Sequence, residues 1–206
     1  FLPKLYEAKA EKNAAVIVPV KKNEGFMDAS QVQYVARAGN FRAHGYDYNG
    51  ALRILKVIME YDYLWINVRV KGGAYGCMNG YMRNGDTYFV SYRDPNLEKT
   101  NEIYDKIPEY IAQFDAEERD MTKYIIGTIS DMDVPMNPSS KGERSMAAYL
   151  QNISYEELQR ERNQVIGATA ADIRNLHDMI ASVLKEENLC VVGNEEALKE
   201  QKEMFE

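Results

Sequence analysis

Residues 74–83, AYGCMNGYMR, and residues 86–93, DTYFVSYR, flank the pair Asn84-Gly85. Asn-Gly is the preferred pair for a two-residue type I′ turn between antiparallel strands. The pattern predicts a β-hairpin with a type I′ turn at its tip, and it is the strongest local signal in the sequence. The fold must therefore contain antiparallel sheet.

Other stretches rich in β-branched residues predict further strands. They are residues 14–20 (AAVIVPV), residues 31–38 (QVQYVARA) and a short buried strand in NLCVVG around Cys190. The polar residues 21–30 between the first two predict a loop.

A long helix is predicted from Tyr48 to about Val70, because apolar residues such as Leu52, Leu55 and Trp65 recur at helical spacing. Arg69 and Lys71 lie near its end. Gly72 follows at the position where a C′ glycine is expected.

Helices dominate the remainder of the chain. Asp94-Pro95 predicts a helix start, with Asp94 as N-cap and Pro95 at the first helical position. Ser154-x-x-Glu157 and Thr169-x-x-Asp172 resemble capping boxes. The other predicted helices cover residues 96–105, 109–114, 117–130 and 143–150, with a last one after Asn194. Residues 130–143, rich in Pro, Ser and Gly, predict an exposed loop.

The order of elements is neither a regular βαβ alternation nor a helical bundle. It predicts an α+β fold, with a mostly antiparallel mixed sheet and helices packed on one face. Residues 144–206 contain only one short strand and could hardly form a core of their own. We therefore expect a single domain over residues 1–206.

Composition excludes several classes of protein. The 206 residues carry a net charge of −7, which argues against a general nucleic-acid binder. No apolar run reaches the roughly 18 residues that a membrane span needs. The two cysteines exclude a disulfide framework. The chain begins with Phe1, so we expect a piece of a longer protein.

Familiar catalytic motifs are missing from the sequence. Gly80 and Gly85 have the spacing of a Walker loop, but Asp86-Thr87 follow in place of Lys-Ser/Thr. His44 and His177 have no metal-ligand partner at helical spacing and are expected to be structural or surface residues. Cys77 has no adjacent base, and no G-x-S-x-G elbow occurs.

The corner between the long helix and the hairpin is the candidate site. Arg69 and Tyr75 lie on either side of Gly72 and Gly73, and Gly76 keeps the next stretch of backbone free of a side chain. A guanidinium can donate to a peptide carbonyl, and a phenol can donate to an oxygen that becomes negative during acyl attack. The alternative is structural: Arg69 complements the helix dipole, the glycines serve the turn and Tyr75 is a sheet aromatic.

This corner resembles a known family. LWINVRVKGGAYG followed by SYRDPN is similar to the last domain of pitrilysin/insulinase-type zinc metallopeptidases, in the branch of presequence protease and falcilysin. The resemblance implies a large enzyme of four similar α+β domains whose two halves close around a peptide. In this family the first domain holds zinc through a His-x-x-Glu-His motif and a more distant glutamate, and the last domain supplies an arginine and a tyrosine.

The resemblance assigns substrate and transition-state binding to Arg69 and Tyr75, with Gly72 and Gly73 at the substrate. This chain has no His-x-x-Glu-His, so zinc is expected only in the full-length enzyme. The expected partners are an unfolded peptide and the N-terminal catalytic half. The chain alone is expected to be inactive.

Lys71 and Asp94 are expected to be structural residues. For Tyr92 and Arg93 the sequence does not decide between a packing role and a binding role. The alternative function is a non-catalytic structural or peptide-binding domain of the same fold. A bacterial cytoplasmic location is favoured over a mitochondrion or another organelle.

Overall fold

The computed structural model describes residues 23–205. Within these residues five strands form one sheet, in the order β1-β5-β2-β4-β3. Their bounds are Glu24–Asp28 (β1), Gln33–Asn40 (β2), Gly76–Tyr81 (β3), Asp86–Asp94 (β4) and Asn188–Asn194 (β5). β1 and β5 pair in parallel, and every other neighbouring pair is antiparallel. The mixed, mostly antiparallel sheet of an α+β fold is thereby confirmed.

Helices make up most of the rest. The helices are Ala51–Ile58 (α1), Glu98–Asp105 (α2), Ile107–Ala112 (α3), Glu118–Met132 (α4), Pro138–Leu150 (α5), Tyr155–Ile166 (α6), Ala170–Arg174 (α7), His177–Leu184 (α8) and Glu195–Glu200 (α9). Two π-helical segments, Met59–Tyr63 and Trp65–Val70, continue α1. Short 3₁₀ turns occupy Phe41–His44 and Lys202–Met204.

The sheet has one covered face and one open face. Val35, Phe89 and Val191 belong to the buried core. Arg37 lies on the same face, where it donates to Asn101 Oδ1 in α2 at 2.7 Å and to the carbonyl of Leu184 in α8 at 2.6 Å. The helices therefore pack on this face, as predicted.

Residues that alternate with the core positions form the open face of the sheet. Phe26, Tyr34, Met78 and Val192 lie there and are all exposed. Within residues 23–205 no helix covers these side chains, so the open face is partly apolar and reaches solvent.

One loop prediction is wrong, and one strand prediction is wrong in detail. β1 lies within residues 21–30, which were predicted to be a loop. Its residues are mostly exposed and show no apolar alternation, and its hydrogen bonds come from pairing with β5. β5 is half-buried instead of buried, because Cys190 and Val192 face the open side. The strand predicted over residues 14–20 lies outside the described residues.

The hairpin is confirmed, but its turn differs from the prediction. Met82 N donates to Asp86 O at 2.7 Å, and Gly85 N donates to Met82 O at 3.0 Å. Gly85 has a φ of +97°, whereas Asn84 keeps a negative φ. A type I′ turn needs positive φ at both central residues, so this is a three-residue loop with a type I turn and a glycine bulge.

The predicted helices occur, with shifted ends. The long helix begins at Ala51 and becomes π-helical from Met59, which sequence periodicity did not indicate. α5 begins at Pro138 with Asn137 as its side-chain cap, so most of the loop predicted over residues 130–143 is helical. Both capping boxes are present, and Asn194 caps α9.

Asp94 is not a helix cap, because α2 starts at Glu98. Its carboxylate is fully buried and accepts hydrogen bonds from Asn96 N at 2.9 Å and Thr100 Oγ1 at 2.7 Å. Asp94 therefore ties the end of β4 to α2, and its role is structural.

Candidate functional site

The corner begins where the π-helical segment ends. Lys71 N donates to Ile66 O at 2.9 Å, a bond between residues five apart. The chain then reverses through Gly73, whose φ is +84° and whose N donates to Arg69 O at 2.8 Å. Gly73, and not Gly72 as predicted, is thus the left-handed glycine that ends the helix.

Gly72 is required for a different reason. A Cβ at this position would lie 2.4 Å from the carbonyl oxygen of Val68, closer than packed atoms approach. The Gly72 carbonyl also accepts a 2.6 Å hydrogen bond from Asn96 Nδ2. This bond fastens the corner to the segment that joins β4 to α2.

The structure brings Arg69 and Tyr75 together. Arg69 Nε donates to the main-chain carbonyl of Tyr75 at 3.0 Å. The guanidinium carbon lies 3.9 Å from the centre of the Trp65 ring. Tyr75 is 62% exposed, and within residues 23–205 its hydroxyl has no hydrogen-bond partner.

β4 holds Tyr75 from the other side. Tyr75 N donates to Arg93 O at 3.3 Å, and the Tyr75 and Tyr92 rings meet edge to face with centroids 5.5 Å apart. The Arg93 guanidinium lies 5.8 Å from the Tyr75 ring, and Arg93 has an unusual φ of +49°. Tyr92 and Arg93, whose roles the sequence did not decide, are therefore direct neighbours of Tyr75.

A tyrosine ring from the neighbouring strand covers each of the other two glycines in the segment. Gly76 pairs with Tyr92 and Gly80 with Tyr88 across the hairpin. A Cβ would lie 2.2 Å from the Tyr92 ring at Gly76 and 2.4 Å from the Tyr88 ring at Gly80. The expectation that Gly76 leaves bare backbone for a ligand is therefore wrong, because Tyr92 covers it.

Replacing Gly76 by Ala should destabilise the protein, because the added methyl must displace the Tyr92 ring. We expect a loss of about 1–3 kcal/mol in the free energy of unfolding, measured by urea denaturation. Gly142→Ala is the control: it lies in α5 with nothing within 4 Å, and should gain about 0.5–1 kcal/mol. Equal stability of Gly76→Ala and the parent chain would contradict the packing role.

Cys77 lies within the same segment but is not a suitable nucleophile. Burial raises the pKa of its thiol to about 11, an effect that the nearby Arg69 charge only partly offsets. The thiol is therefore protonated at neutral pH, and the thiolate is the reactive form.

Metal-ligating residues do not converge in residues 23–205, where no group of three or more His, Cys, Asp or Glu side chains could hold an ion. His44 Nε2 lies 3.0 Å from Glu186 Oε1, and His177 Nδ1 lies 2.9 Å from the Arg174 carbonyl. Both histidines have structural contacts.

Comparison with known proteins places this geometry in a family. Residues 23–195 match the family model of the PreP C-terminal domain. The chain belongs to this family.

Curated relatives of this chain are much longer proteins. The chain is 51% identical over 185 residues to Protein HypA of Clostridium perfringens, covering 90% of this chain and 19% of that protein. It is 34% identical over 171 residues to Presequence protease 1, chloroplastic/mitochondrial, of Arabidopsis thaliana, covering 82% and 16%. The chain thus spans less than a fifth of the length of these relatives.

Solved structures share the fold of this chain. The inactive peptidase domain of a putative zinc protease from Bordetella parapertussis superposes with a TM-score of 0.61 at 14% identity, covering 81% of this chain and 91% of that one. Pitrilysin gives a TM-score of 0.58 at 12% identity, covering 85% of this chain and 20% of that one.

Among the helices of residues 23–205, none is long and apolar enough to cross a membrane.

A second polar feature lies at the far end of the hairpin from Tyr75. A cleft of about 1440 Å³ is bounded there by α1, the hairpin loop and α6. In it the buried carboxylate of Glu161 is paired with Arg53 and Arg83 and accepts from the Tyr48 hydroxyl at 2.9 Å. Glu161 is not recognisable from the sequence, because it lies within a run of charged residues that is typical of a solvated helix face.

Proposed function

We propose that this chain is the C-terminal substrate-binding domain of a zinc-dependent metalloendopeptidase that degrades short unfolded peptides. The observation that carries the proposal is the contact between Arg69 and Tyr75 at an exposed corner beside the open sheet face. The family and the presequence proteases among the relatives support the reaction class. Arg69 and Tyr75 bind the peptide and the transition state, and Gly72 and Gly73 shape the corner.

The two side chains keep their donors available. Arg69 donates only its Nε–H to the Tyr75 carbonyl. Within residues 23–205 its two terminal nitrogens make no hydrogen bond to protein. The Tyr75 hydroxyl is likewise without a hydrogen-bond partner in this part of the chain. Arg69 thus donates to a carbonyl of the bound peptide, and Tyr75 donates to the oxygen that becomes negative when the scissile carbonyl is attacked.

The open face of the sheet supplies room for an extended peptide. Tyr92 lies on this face, next to Tyr75, with Met78 and Val90 further along the hairpin. Apolar side chains of an unfolded peptide bury surface against such residues, whereas a folded protein keeps its own apolar residues inside.

Zinc belongs to the N-terminal half of the full-length enzyme in this proposal. Residues 23–205 contain no set of ligands that fits the ion. The task of this domain is therefore to bind and orient the peptide and to stabilise charge.

Replacing Arg69 by Ala in the full-length enzyme should raise KM about 10- to 100-fold, because a charged donor to the peptide backbone is lost. The measurement is steady-state hydrolysis of an unstructured peptide. Lys71→Ala is the matched control: Lys71 is a nearby exposed cation with a long 3.4 Å contact to Asn67, and its loss should leave KM unchanged. An unchanged KM for Arg69→Ala would contradict the proposal.

A second candidate is a non-catalytic structural or peptide-binding domain. It is favoured by the fold shared with the inactive peptidase domain of the Bordetella parapertussis protein. Titration of the chain with a labelled unfolded peptide, together with an assay of the longer polypeptide, separates the two. Peptide binding without cleavage by the longer polypeptide would support the second candidate.

A further inference from the structure

We propose that Trp65 is the positioning residue for Arg69, and that it fixes the guanidinium in the orientation that binds the peptide. This inference rests on the proposed function and adds to it a residue outside the Arg69–Tyr75 pair. The Arg69 guanidinium carbon lies over the Trp65 ring, 3.9 Å from its centre.

The rotation of the helix explains why the two side chains meet. Leu64 and Val68 are fully buried, and they lock this face of the segment against the core. Trp65 and Arg69 each follow one of these residues, so they share the neighbouring stripe at the rim of the core. Residues four or five apart lie on one face of a π-helical turn, which places the indole directly beside the guanidinium.

Two contacts then hold Arg69 from different directions. The Trp65 ring lies 3.9 Å from the guanidinium carbon, and the Tyr75 carbonyl accepts a hydrogen bond from Nε at 3.0 Å. A long arginine side chain otherwise has considerable rotamer freedom. The stacked indole therefore reduces the entropy that peptide binding must remove.

An aromatic partner suits this task better than a carboxylate. Stacking uses the face of the guanidinium and none of its N–H donors, all of which lie in the plane. Within residues 23–205 Arg69 forms no salt bridge, so its positive charge is not neutralised by a neighbour. Trp65 thus orients Arg69 and leaves its terminal nitrogens free for the peptide.

The test is a double-mutant cycle in the full-length enzyme, with kcat and KM measured on an unstructured peptide. Trp65→Ala should raise KM about 3- to 30-fold with little change in kcat when Arg69 is present. In an Arg69→Ala background the same change should have no further effect. Trp65→Phe should restore most of the affinity, because a smaller aromatic face remains.

Tyr61→Ala is the matched control, because Tyr61 is also an exposed aromatic residue of the π-helical region and is 69% exposed. It should leave KM unchanged, and circular dichroism should show that every variant is folded. Additive effects of Trp65→Ala and Arg69→Ala, or no rescue by Phe, would overturn the inference alone. An Arg69→Ala variant with normal KM would overturn the proposed function as well.

Discussion

Tyr75→Phe is expected to lower kcat of the full-length enzyme by about 10²–10³, the usual cost of losing one oxyanion donor. The hydroxyl is the only group removed. The ring contact with Tyr92 and the main-chain bond to Arg93 do not depend on it, so the corner should keep its shape. Because the donor acts on charge that develops in the transition state, KM should change little.

The control for this prediction is Tyr61→Phe, which removes an exposed hydroxyl from the same region and should leave kcat unchanged. Zinc content should be measured in the same samples, since equal zinc excludes an indirect effect on the metal. Unchanged kcat and KM for Tyr75→Phe would rule out the oxyanion role.

Glu161→Gln is expected to have the largest effect on stability. The carboxylate joins α6 to Arg53 in α1 and to Arg83 in the hairpin loop, and only 3% of its side chain is exposed. Its replacement leaves two guanidinium groups without their counter-ion. We expect a loss of about 2–3 kcal/mol, at the lower end for a broken buried pair because both arginines are partly exposed.

Urea unfolding of the 206-residue chain measures this loss. The matched control is Glu156→Gln on the same helix, where the side chain is exposed and the change should stay below about 1 kcal/mol. Equal midpoints for Glu161→Gln and the parent chain would contradict a structural role for the cleft.

Local patterns predicted much of the fold. The hairpin, most helices and both capping boxes depend on residues close in sequence, so their signals are readable there. β1 is different, because its hydrogen bonds come from β5, more than 160 residues away. The π-helical segments were not predicted either, because the spacing of apolar residues over a few turns does not distinguish a π-helix from an α-helix.

The length of the hairpin turn sets the pairing register of both strands, so an error of one residue in the turn changes every pair. A two-residue turn at Asn84-Gly85 would pair Gly76 with Arg93, whereas the three-residue loop pairs it with Tyr92. A shift of one residue moves every side chain of the strand to the other face. The correct register would have revealed that Gly76 and Gly80 lie opposite tyrosines.

The site was predicted only in part. Arg69 and Tyr75 were singled out and do lie in contact. Trp65 was counted among the apolar residues that predict the long helix, although it is 42% exposed and its ring lies beside the Arg69 guanidinium. The helix rotation that decides between core and rim is set by packing against the sheet, which sequence spacing alone does not give.

In the proposed function, this chain supplies peptide-binding side chains to a reaction centre whose zinc lies elsewhere. The test is to dialyse the isolated 206-residue chain against a buffer that contains zinc, and then to measure its zinc content and its peptidase activity. We expect no stoichiometric zinc and no cleavage of an unstructured peptide. Stoichiometric zinc or cleavage by the isolated chain would contradict it.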